Sequence, residues 1–329
     1  MRYSYAVRVI LDHYPHLDAG EVARRLRNHT YVSMPRRYFY FQVPKVATTA
    51  MKTLLHKVEN SPPMRLFAMD EWVSRRDKFI HDRTNMPLPS LADLDDAQQK
   101  EVLESPDFLR MTIVRNPYDR MVSAWRGTVR LCEPASAHIY LAVRGQLPDP
   151  GGKSLMSFSE FLDYVEQKCD LRTCNGHWRR QVDHHFLKAM NFSHIGKVER
   201  LPETLRRFQE HLGAREPLEA HAKNVSRSGS VDLTEALAEK IYSLYREDFE
   251  AFGYDKNEWA DPLAHGEQPR KNGMVPEEIF DDEIVERNII LYHLYEERDR
   301  LRDQTLSGIC RRIRGKVRRV LSIAHAARI

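Results

Sequence analysis

A lysine and two threonines follow an aromatic segment near the start of the chain. The segment RYFYFQV has the aromatic and β-branched composition of a strand, and it runs through PKV into ATTAMKTLLHKVE, whose apolar spacing predicts a helix. Thr48 or Thr49 is available to cap that helix. Because the N–H groups and the dipole of a helix N-terminus attract negative charge, Lys45 and the threonines predict an anion-binding corner.

An arginine and a serine occupy the corresponding place after a second apolar segment. DFLRMTIV predicts a strand, and RNPYDRMVSAWRG follows it directly. Arg115 lies at the strand end, and Ser123 lies eight residues later in the next helix. An arginine fork with a nearby hydroxyl suits a phosphate group separate from the first anion. Arg120 either joins this site or pairs with a carboxylate such as Asp119 or Glu133.

The glycine pattern excludes two common nucleotide-binding loops at these positions. The nucleoside-triphosphate loop needs G-x-x-x-x-G-K-[ST] so that its amides can wrap the phosphates, and the dinucleotide turn needs G-x-G-x-x-G. The sequence contains no glycine between Gly20 and Gly127. The anion of the first corner is therefore predicted to be a 5′-phosphate bearing one further anionic group, with a second phosphate at Arg115.

Two phosphate sites without a glycine loop are what 3′-phosphoadenosine 5′-phosphosulfate requires, and several motifs agree with that donor. VPKVATTAMKTLL resembles the 5′-phosphosulfate loop of the carbohydrate sulfotransferases, and VRNPYDRMVSAWRG resembles their 3′-phosphate motif. GHWRRQ, FSHIGKVERLPETLRRF, HAKNVS and LYREDFEAFGYD are similar, in the same order, to segments of the family that includes the chondroitin 4-sulfotransferases and the HNK-1 type enzymes. The resemblance extends from about Tyr38 to Asp255.

The resemblance implies metal-free, in-line transfer of a sulfuryl group from this donor to a hydroxyl of a carbohydrate or glycolipid. Lys45 is implied to neutralise the charge that builds on the departing bridging oxygen. Arg115 and Ser123 would bind the 3′-phosphate, and the loop from Asn224 to Arg227 would close over the nucleotide. The donor-binding residues implied by the family are Lys45, Val46, Ala47, Thr48, Thr49, Arg115, Ser123, Asn224, Ser226 and Arg227.

The acceptor hydroxyl needs a general base, and histidine is the usual one near neutral pH. His81, in KFIHDR, lies between the two phosphate motifs, where related sulfotransferases keep their base. His177, in GHW, is its competitor, and a glutamate or aspartate elsewhere is the third alternative. The catalytic candidates are therefore Lys45, His81 and His177.

Strands that alternate with helices predict the fold class, which is α/β with a P-loop-like central parallel sheet, flanking helices and a C-terminal helical extension. A further strand is predicted in FSHIGKVE, and helices are predicted in DAGEVARRLRNH, DDAQQKEVLESP, SFSEFLDYVEQK, LPETLRRFQEHLG, DLTEALAEKIYSLYREDFEAFGY and PEEIFDDEIVERNIILYHLYEERDRLRDQ. The expected organisation is an N-terminal extension at 1–36, a sulfotransferase domain at 37–256, and a helical extension with a basic tail at 257–329.

Composition and charge narrow the class of protein and its surroundings. The 329 residues carry 51 basic and 47 acidic side chains, and the net charge of +4 gives no support for nucleic-acid binding. RRIRGKVRR, at 311–319, is either a solvated helical tail or a contact for an anionic membrane or partner. Scattered cysteines, a start without a signal-peptide core and the lack of a long apolar run favour a cytoplasmic protein, with peripheral membrane contact as the alternative.

Several features depart from the animal Golgi enzymes of this family. The N-terminal membrane anchor is lacking, VDHHFLKAM stands where the Cys-Pro-Cys segment follows His-Trp, and a long C-terminal helix is added. These departures leave the acceptor open and favour a surface glycan precursor or a glycolipid. The spacing of Cys174, His177, His184 and His185 fits no standard zinc pattern, so no metal is expected.

Two rival functions remain. A kinase-like phosphotransferase would need a glycine loop and carboxylates for Mg²⁺, and neither is visible in the sequence. A non-catalytic nucleotide- or glycan-binding module would keep Arg115 and Ser123 but could dispense with Lys45 and a base. Lys45 and candidate bases are both present, which favours the enzyme.

Overall fold

The computed structural model describes residues 3–59, 83, 86–148, 155–218, 231, 233–260 and 277–304. Within these residues the strands are β1 (Thr30–Ser33), β2 (Tyr38–Phe41), β3 (Leu109–Val114) and β4 (His194–Lys197). They form one sheet in the order β1-β2-β3-β4, in which β1 is antiparallel to β2 while β2, β3 and β4 run parallel. The predicted α/β fold with a central parallel sheet is confirmed, and β1 adds an antiparallel strand at one edge of that sheet.

The described residues also contain helices before, between and after these strands. They are α1 (Tyr5–His13), α2 (Ala19–His29), α3 (Thr48–Val58), α4 (Asp96–Glu104), α5 (Pro117–Ala124), α6 (Ala137–Arg144), α7 (Phe158–Lys168), α8 (Gln181–His184), α9 (Leu187–Met190), α10 (Leu201–Leu212), α11 (Glu235–Phe252) and α12 (Glu277–Gln304). Every helix predicted from the sequence is among them, so periodicity and capping residues identified these elements correctly.

Polar caps and glycines fix where several helices begin and end. The Asp18 carboxylate accepts hydrogen bonds from the N–H groups of Gly20 and Glu21, which begins α2 where the sequence predicts. Gly213 and Gly253 follow α10 and α11 in left-handed conformations, with φ of 61° and 60°. Glycine adopts this conformation without the steric strain that a side chain would bring, so both helices end there.

The N-terminal region contributes a strand that the sequence did not identify. Polar composition predicts only an extension at 1–36, yet β1 lies within it and all four of its residues are buried. Tyr31 lies opposite Tyr40 in the antiparallel register. A strand of this length is too short for its alternation to separate it from the neighbouring helix and turn.

Alternation along β2 divides the core into two layers. Phe39 and Phe41 pack on one face with β1 residue Val32 and with helices α1, α2 and α4. Tyr38 and Tyr40 pack on the other face with α3 and α10. Because both faces of the strand are covered, apolar or aromatic side chains are needed at every position rather than at alternate ones.

The chain divides into two compact units, residues 1–125 with 161–270 and residues 126–160 with 271–329. The first unit contains the sheet. The second contains α6 and α12, and within it the Asn288 side chain donates a hydrogen bond to the carbonyl of Leu131 (2.8 Å). The predicted domain limits stay a prediction. Among the described helices, none combines the length and the apolar character that crossing a bilayer requires.

Candidate functional site

The loop after β2 bends at two residues that are not glycine. Lys45 and Ala47 have φ of 69° and 58°, in the left-handed region that glycine normally occupies. For an L-residue this conformation costs about 1–2 kcal/mol. Left-handed residues in such turns help to form the concave backbone nests that bind anions. The loop therefore bends at Lys45 and Ala47 without glycine, at the cost of local strain of the kind found at functional sites.

The predicted threonine cap of α3 is wrong. Ala47 is the residue before the helix, and Thr48 is its first residue. The left-handed bend at Ala47 turns the Thr48 hydroxyl back towards the strand, where it donates a hydrogen bond to the carbonyl of Val43 (2.9 Å). Ala47 offers no side-chain cap. No side chain caps the start of α3, and the N-terminus of a helix is in general a place that suits an anion.

Side chains hold the turn after β3. The Gln181 amide oxygen accepts from the Arg115 N–H (3.0 Å), and the Gln181 amide nitrogen donates to the Arg115 carbonyl (2.8 Å). Asn116 caps α5 by accepting from the Tyr118 N–H (2.9 Å). The N–H of Asn116 donates to the Glu199 carboxylate (2.8 Å). These bonds fix the backbone from which the Arg115 guanidinium extends.

The two turns meet at one edge of the sheet. Because β2 and β3 are parallel, with Phe41 opposite Thr112, both strands end on the same side. The guanidinium of Arg115 donates to the carbonyl of Lys45 across 3.4 Å. Ser123 is partly exposed on α5, the helix that follows Arg115. The structure brings Lys45 and Arg115 together and puts Ser123 on the helix beyond them.

A buried arginine ties the Lys45 loop to a third segment of the chain. Arg120 is 1% exposed, and its Nε donates to the carbonyl of Pro44 (3.3 Å). Its two other nitrogens donate to the carbonyls of Arg179 and Gly176, both at 2.8 Å. The sequence suggests a phosphate or a neighbouring carboxylate as its partner, but the guanidinium binds backbone carbonyls. Burial lowers the pKa of Arg120, and its role is to position two segments.

His177 belongs to the segment that Arg120 holds. The Oδ1 of Asn175 lies 2.8 Å from the His177 Nδ1 and accepts the His177 backbone N–H at 3.0 Å. Since an amide oxygen only accepts, the ring is assigned with its proton on Nδ1 and its lone pair on Nε2. Gly176 approaches His184 so closely that a Cβ there would lie 2.9 Å from the ring. Close packing therefore fixes the backbone beside the partly exposed His177.

Asp248 anchors the same segment from α11, and sequence reasoning did not select it. Its buried carboxylate accepts from the N–H groups of Gln181 and Val182, at 2.8 and 2.9 Å. Burial raises the pKa of Asp248 to about 6, and the charge of Arg120 opposes this rise. A signal was available, because Asp248 falls on the helix face that otherwise carries apolar and aromatic side chains.

A second cationic group lies in α3, one turn beyond the loop. Lys52 is 3% exposed, and its Nζ lies 5.5 Å from the centroid of the Tyr31 ring. The guanidinium of Arg83 lies 4.6 Å from the same centroid. Burial, with a further contribution from Arg83, lowers the pKa of Lys52 to about 8. These cations, which sequence reasoning also missed, add positive potential near the start of α3.

Buried histidines adjoin the segment that carries His177. The rings of His29 and His184 meet edge to face, with centroids 4.6 Å apart. Among the described residues, the Nδ1 of His29 and both ring nitrogens of His184 and His185 have no hydrogen-bond partner. Burial lowers the pKa of His29 and His185 to about 3, and it lowers the pKa of His184 well below its usual value. All three rings are therefore neutral at physiological pH.

The sequence predicts that Cys174, His177, His184 and His185 do not form a metal site. The described residues contain no group of three or more histidine, cysteine, aspartate or glutamate side chains that could hold a metal ion. Cys174, His177, His184 and His185 therefore do not converge on one point in the described structure.

Several predicted residues lie outside the described part of the chain. They are His81, Asn224, Ser226, Arg227 and the basic stretch at 311–319. Their roles stay predictions, as do the cytoplasmic location and a contact of the tail with a membrane. Of the catalytic candidates, the structure describes Lys45 and His177.

Comparison with known proteins bears on what this site does. The sequence pattern of the Sulfotransferase family matches residues 28–255, a range that contains all the site residues described above. Carbohydrate sulfotransferase 14 of Mus musculus is 28% identical over 258 residues, which cover 70% of this chain and 61% of that protein. Carbohydrate sulfotransferase 14 of Homo sapiens is 31% identical over 185 residues, which cover 54% of this chain and 45% of that protein. No solved structure matches the chain.

The chain matches only part of the length of each curated relative. The alignments span 61% and 45% of the two curated relatives, so the chain matches less than two thirds of the length of either protein. The family pattern covers the sheet, both turns and α11, while the relatives' names state an activity of whole proteins of which the alignments cover only part. The family is therefore established by the pattern, and the activity has to be argued from the site.

Proposed function

Because the chain belongs to the sulfotransferase family, we propose that it transfers a sulfuryl group from 3′-phosphoadenosine 5′-phosphosulfate to a hydroxyl of a carbohydrate or glycolipid. The relatives named as carbohydrate sulfotransferases support the acceptor class. The observation that carries the proposal is the contact between the Arg115 guanidinium and the Lys45 carbonyl, at 3.4 Å. It joins two turns without glycine at one edge of the sheet, which suits a donor with two separate anionic ends.

In this proposal each turn holds one phosphate-bearing end of the donor. The backbone N–H groups from Val46 to Thr49, at the start of the 11-residue helix α3, would bind the 5′-phosphosulfate. Arg115 would bind the 3′-phosphate through its planar fork, and Ser123 would bind it through its hydroxyl. The hydrogen bonds from Gln181 to the Arg115 backbone would hold the arginine in place before the donor arrives, which lowers the entropy cost of binding.

Lys45 has the central role in the transfer step. The acceptor oxygen forms a bond to sulfur while the bond from sulfur to the 5′-phosphate oxygen breaks, so negative charge builds on the departing oxygen. The Lys45 ammonium group would neutralise that charge, and the amides of the loop would share it. The acceptor proton passes to a general base, and adenosine 3′,5′-bisphosphate leaves. Holding both ends of the donor would keep the reacting atoms in line.

His177 is the candidate base that the described residues support. Its Nδ1 donates to the Asn175 side chain, so the lone pair lies on Nε2, which is the tautomer able to accept a proton. The same hydrogen bond orients the ring, as a partner of a catalytic histidine must. His81 and a carboxylate elsewhere in the chain remain the alternatives.

A transfer assay with a lysine variant tests the proposal. Radiolabelled donor is incubated with the protein and a panel of polysaccharides, oligosaccharides and glycolipids, and the label in each acceptor is measured. We expect Lys45→Ala to lower kcat about 100-fold or more, because charge on the leaving oxygen is no longer neutralised. The matched control is Lys100→Ala, whose side chain is 61% exposed on α4 and should not matter.

The rival functions predict different results in the same assay. Label that reaches no acceptor, although the protein binds the nucleotide, would favour a binding module without catalysis. Transfer of phosphate from ATP with Mg²⁺ would favour a phosphotransferase. Either result would overturn the proposed function.

A further inference from the structure

Helix α12 carries a row of exposed apolar side chains. Ile290, Leu294 and Leu301 are 53%, 58% and 51% exposed. Their spacing puts them on one face of a helix with 3.6 residues per turn. An exposed row of large apolar side chains favours contact with another molecule.

The opposite face of α12 packs within its own unit. Val285 is fully buried and Asn288 is 3% exposed, and the Asn288 side chain donates to the carbonyl of Leu131 (2.8 Å). At about 100° per residue, Val285 lies about 180° around the helix from Leu294. The face that α12 uses for this packing is therefore not the face that carries the apolar row.

The last turns of α12 gain little from that packing. From residue 293 to residue 301 every side chain of the helix is exposed. Helices in proteins gain most of their stability from the packing of an apolar face, and a helical segment without such packing is marginal in water. A partner that covered Leu294 and Leu301 would therefore stabilise the end of the helix.

Exposed side chains of opposite charge flank the row. Helical periodicity puts Arg287 and Arg298 along one side of it, about 40–60° from its centre. Glu286 and Glu297 lie along the other side at a similar angle. Glu297 pairs with Arg300 of the same helix (2.7 Å), but both side chains are exposed, and such pairs contribute little.

The arrangement of these charges specifies a partner. When two copies of one helix pack in parallel, the basic side of each meets the acidic side of the other, whereas in an antiparallel pair like sides meet. Opposite charges across a contact attract, and like charges repel. A second copy of α12 in the parallel orientation therefore matches the row in apolar character and in charge.

We propose that this chain forms a symmetric dimer in which the α12 helices of two copies pack in parallel along Ile290, Leu294 and Leu301. Each of these side chains meets its counterpart across a two-fold axis, so one patch serves both chains. This inference does not depend on the proposed sulfotransferase activity, and its test needs neither donor nor acceptor.

Sedimentation equilibrium of the full-length protein, from micromolar to submillimolar concentration, tests the proposal. We expect a mass that rises with concentration towards twice that of one chain. The double variant Leu294→Lys with Leu301→Lys should raise the dissociation constant of the dimer about 10-fold or more, because apolar burial is lost and like charges meet. The matched control is Leu141→Lys, at a 40% exposed position of α6, which should keep the wild-type constant.

Charge variants test the pairing of the two flanks. Arg287→Glu with Arg298→Glu makes both flanks acidic, and Glu286→Arg with Glu297→Arg makes both flanks basic. Each double variant alone should dimerise more weakly than the wild type. Native mass spectrometry of an equimolar mixture should show a dimer of one acidic and one basic chain, because opposite charges then meet on both sides.

Disulfide trapping tests the parallel orientation. The Leu301→Cys protein is oxidised at a concentration at which it is dimeric, and its disulfides are identified by peptide mapping. We expect a bond between position 301 of one chain and position 301 of the other, because counterparts meet in a parallel pair and a disulfide forms only between neighbouring side chains.

Three results would overturn the proposal. The first is the mass of a single chain at every concentration of the wild-type protein, a result that does not depend on how any variant folds. The second is weakening of the dimer by Leu141→Lys to the same degree as by the double lysine variant. The third is a bond between positions 294 and 301 in a mixture of Leu294→Cys and Leu301→Cys proteins, which would show antiparallel helices.

Discussion

Two neighbouring regions of the molecule bury polar side chains in opposite ways. The first, which we call the braced edge, consists of Arg120, Gln181 and Asp248 with their partners. Arg120 binds three backbone carbonyls. Gln181 binds both backbone groups of Arg115, and Asp248 accepts from two backbone N–H groups. Each of these side chains is satisfied by backbone from a distant part of the sequence.

The second region, which we call the histidine core, consists of His29, His184 and His185. The rings of His29 and His184 pack on each other, and the ring of His185 packs on aromatic side chains. Among the described residues, five nitrogens of these three rings lack a hydrogen-bond partner. A buried polar group without a partner costs stability, while a satisfied network holds its members in one arrangement. The braced edge therefore holds the backbone of the site in one arrangement, whereas the unpartnered rings of the histidine core are expected to make the fold sensitive to acid.

Removing the Arg120 guanidinium from the braced edge should have the largest effect on stability. Arg120→Met keeps much of the buried volume but leaves three carbonyls without their donor, so the free energy of unfolding should fall by about 3–5 kcal/mol in urea titrations. The matched Arg206→Met, whose side chain is 71% exposed on α10, should change it by less than about 0.5 kcal/mol. Equal stability of the two variants would show that the edge does not depend on Arg120.

The second largest effect should come from a fall in pH, which lowers the free energy of unfolding through the histidine core. In the folded chain the pKa of His29 and of His185 is about 3, whereas an unfolded histidine titrates at about 6.5. The neutral rings therefore contribute their full stability above about pH 6.5, and each loses about 1.4 kcal/mol per pH unit below it. Asp248 partly offsets this loss of stability between about pH 6 and 4. Its pKa is raised, so the folded chain binds a proton there before the unfolded chain does, and this stabilises the fold as the pH falls.

His185→Phe isolates the contribution of one ring. Aromatic rings of Phe41, Phe192 and Phe252 surround it at 6.3, 5.2 and 5.8 Å between centroids. Between about pH 7 and 5 the variant should lose about 2 kcal/mol less stability than the wild type. His293→Phe, at an exposed position of α12, should keep the wild-type dependence on pH. If the stability of His185→Phe depended on pH as that of the wild type does, the histidine core would not be the source of acid sensitivity.

The smallest effect is expected at the strained loop next to the braced edge. Ala47 has φ of 58°, and glycine at this position avoids the steric cost but loses more entropy on folding. Ala47→Gly should therefore raise the free energy of unfolding by about 0.5–1 kcal/mol. Ala50→Gly, within helix α3, should lower it by about 1 kcal/mol. Destabilisation of similar size in both variants would contradict the account of the loop.

Sequence reasoning succeeded where the signal is local. The strand at RYFYF, the cap at Asp18 and the glycine after α10 follow from composition and from residues only a few positions apart. Lys45 and Arg115 were selected in the same way, because each follows a strand. Their mutual contact then follows from the parallel pairing of β2 and β3, which alternating strands and helices predict.

The braced edge and the histidine core could not be predicted in this way. Arg120 binds residues that lie 56 to 76 positions away, and no local pattern specifies such partners. The left-handed bend at Ala47 was missed for a different reason, since a threonine next to it is the more usual cap. For Asp248 the sequence does contain a local signal, because this residue interrupts an otherwise apolar helix face.

The central claim is that the turns at Lys45 and Arg115 bind one donor nucleotide. Isothermal calorimetry with adenosine 3′,5′-bisphosphate, in buffer without metal, tests it most directly. We expect roughly micromolar binding by the wild type and by Arg206→Ala, and a Kd about 10- to 150-fold higher for Arg115→Ala, which corresponds to a lost charge-assisted contact of about 1.5–3 kcal/mol. No binding of the bisphosphate, together with binding of ATP in the presence of Mg²⁺, would contradict the claim.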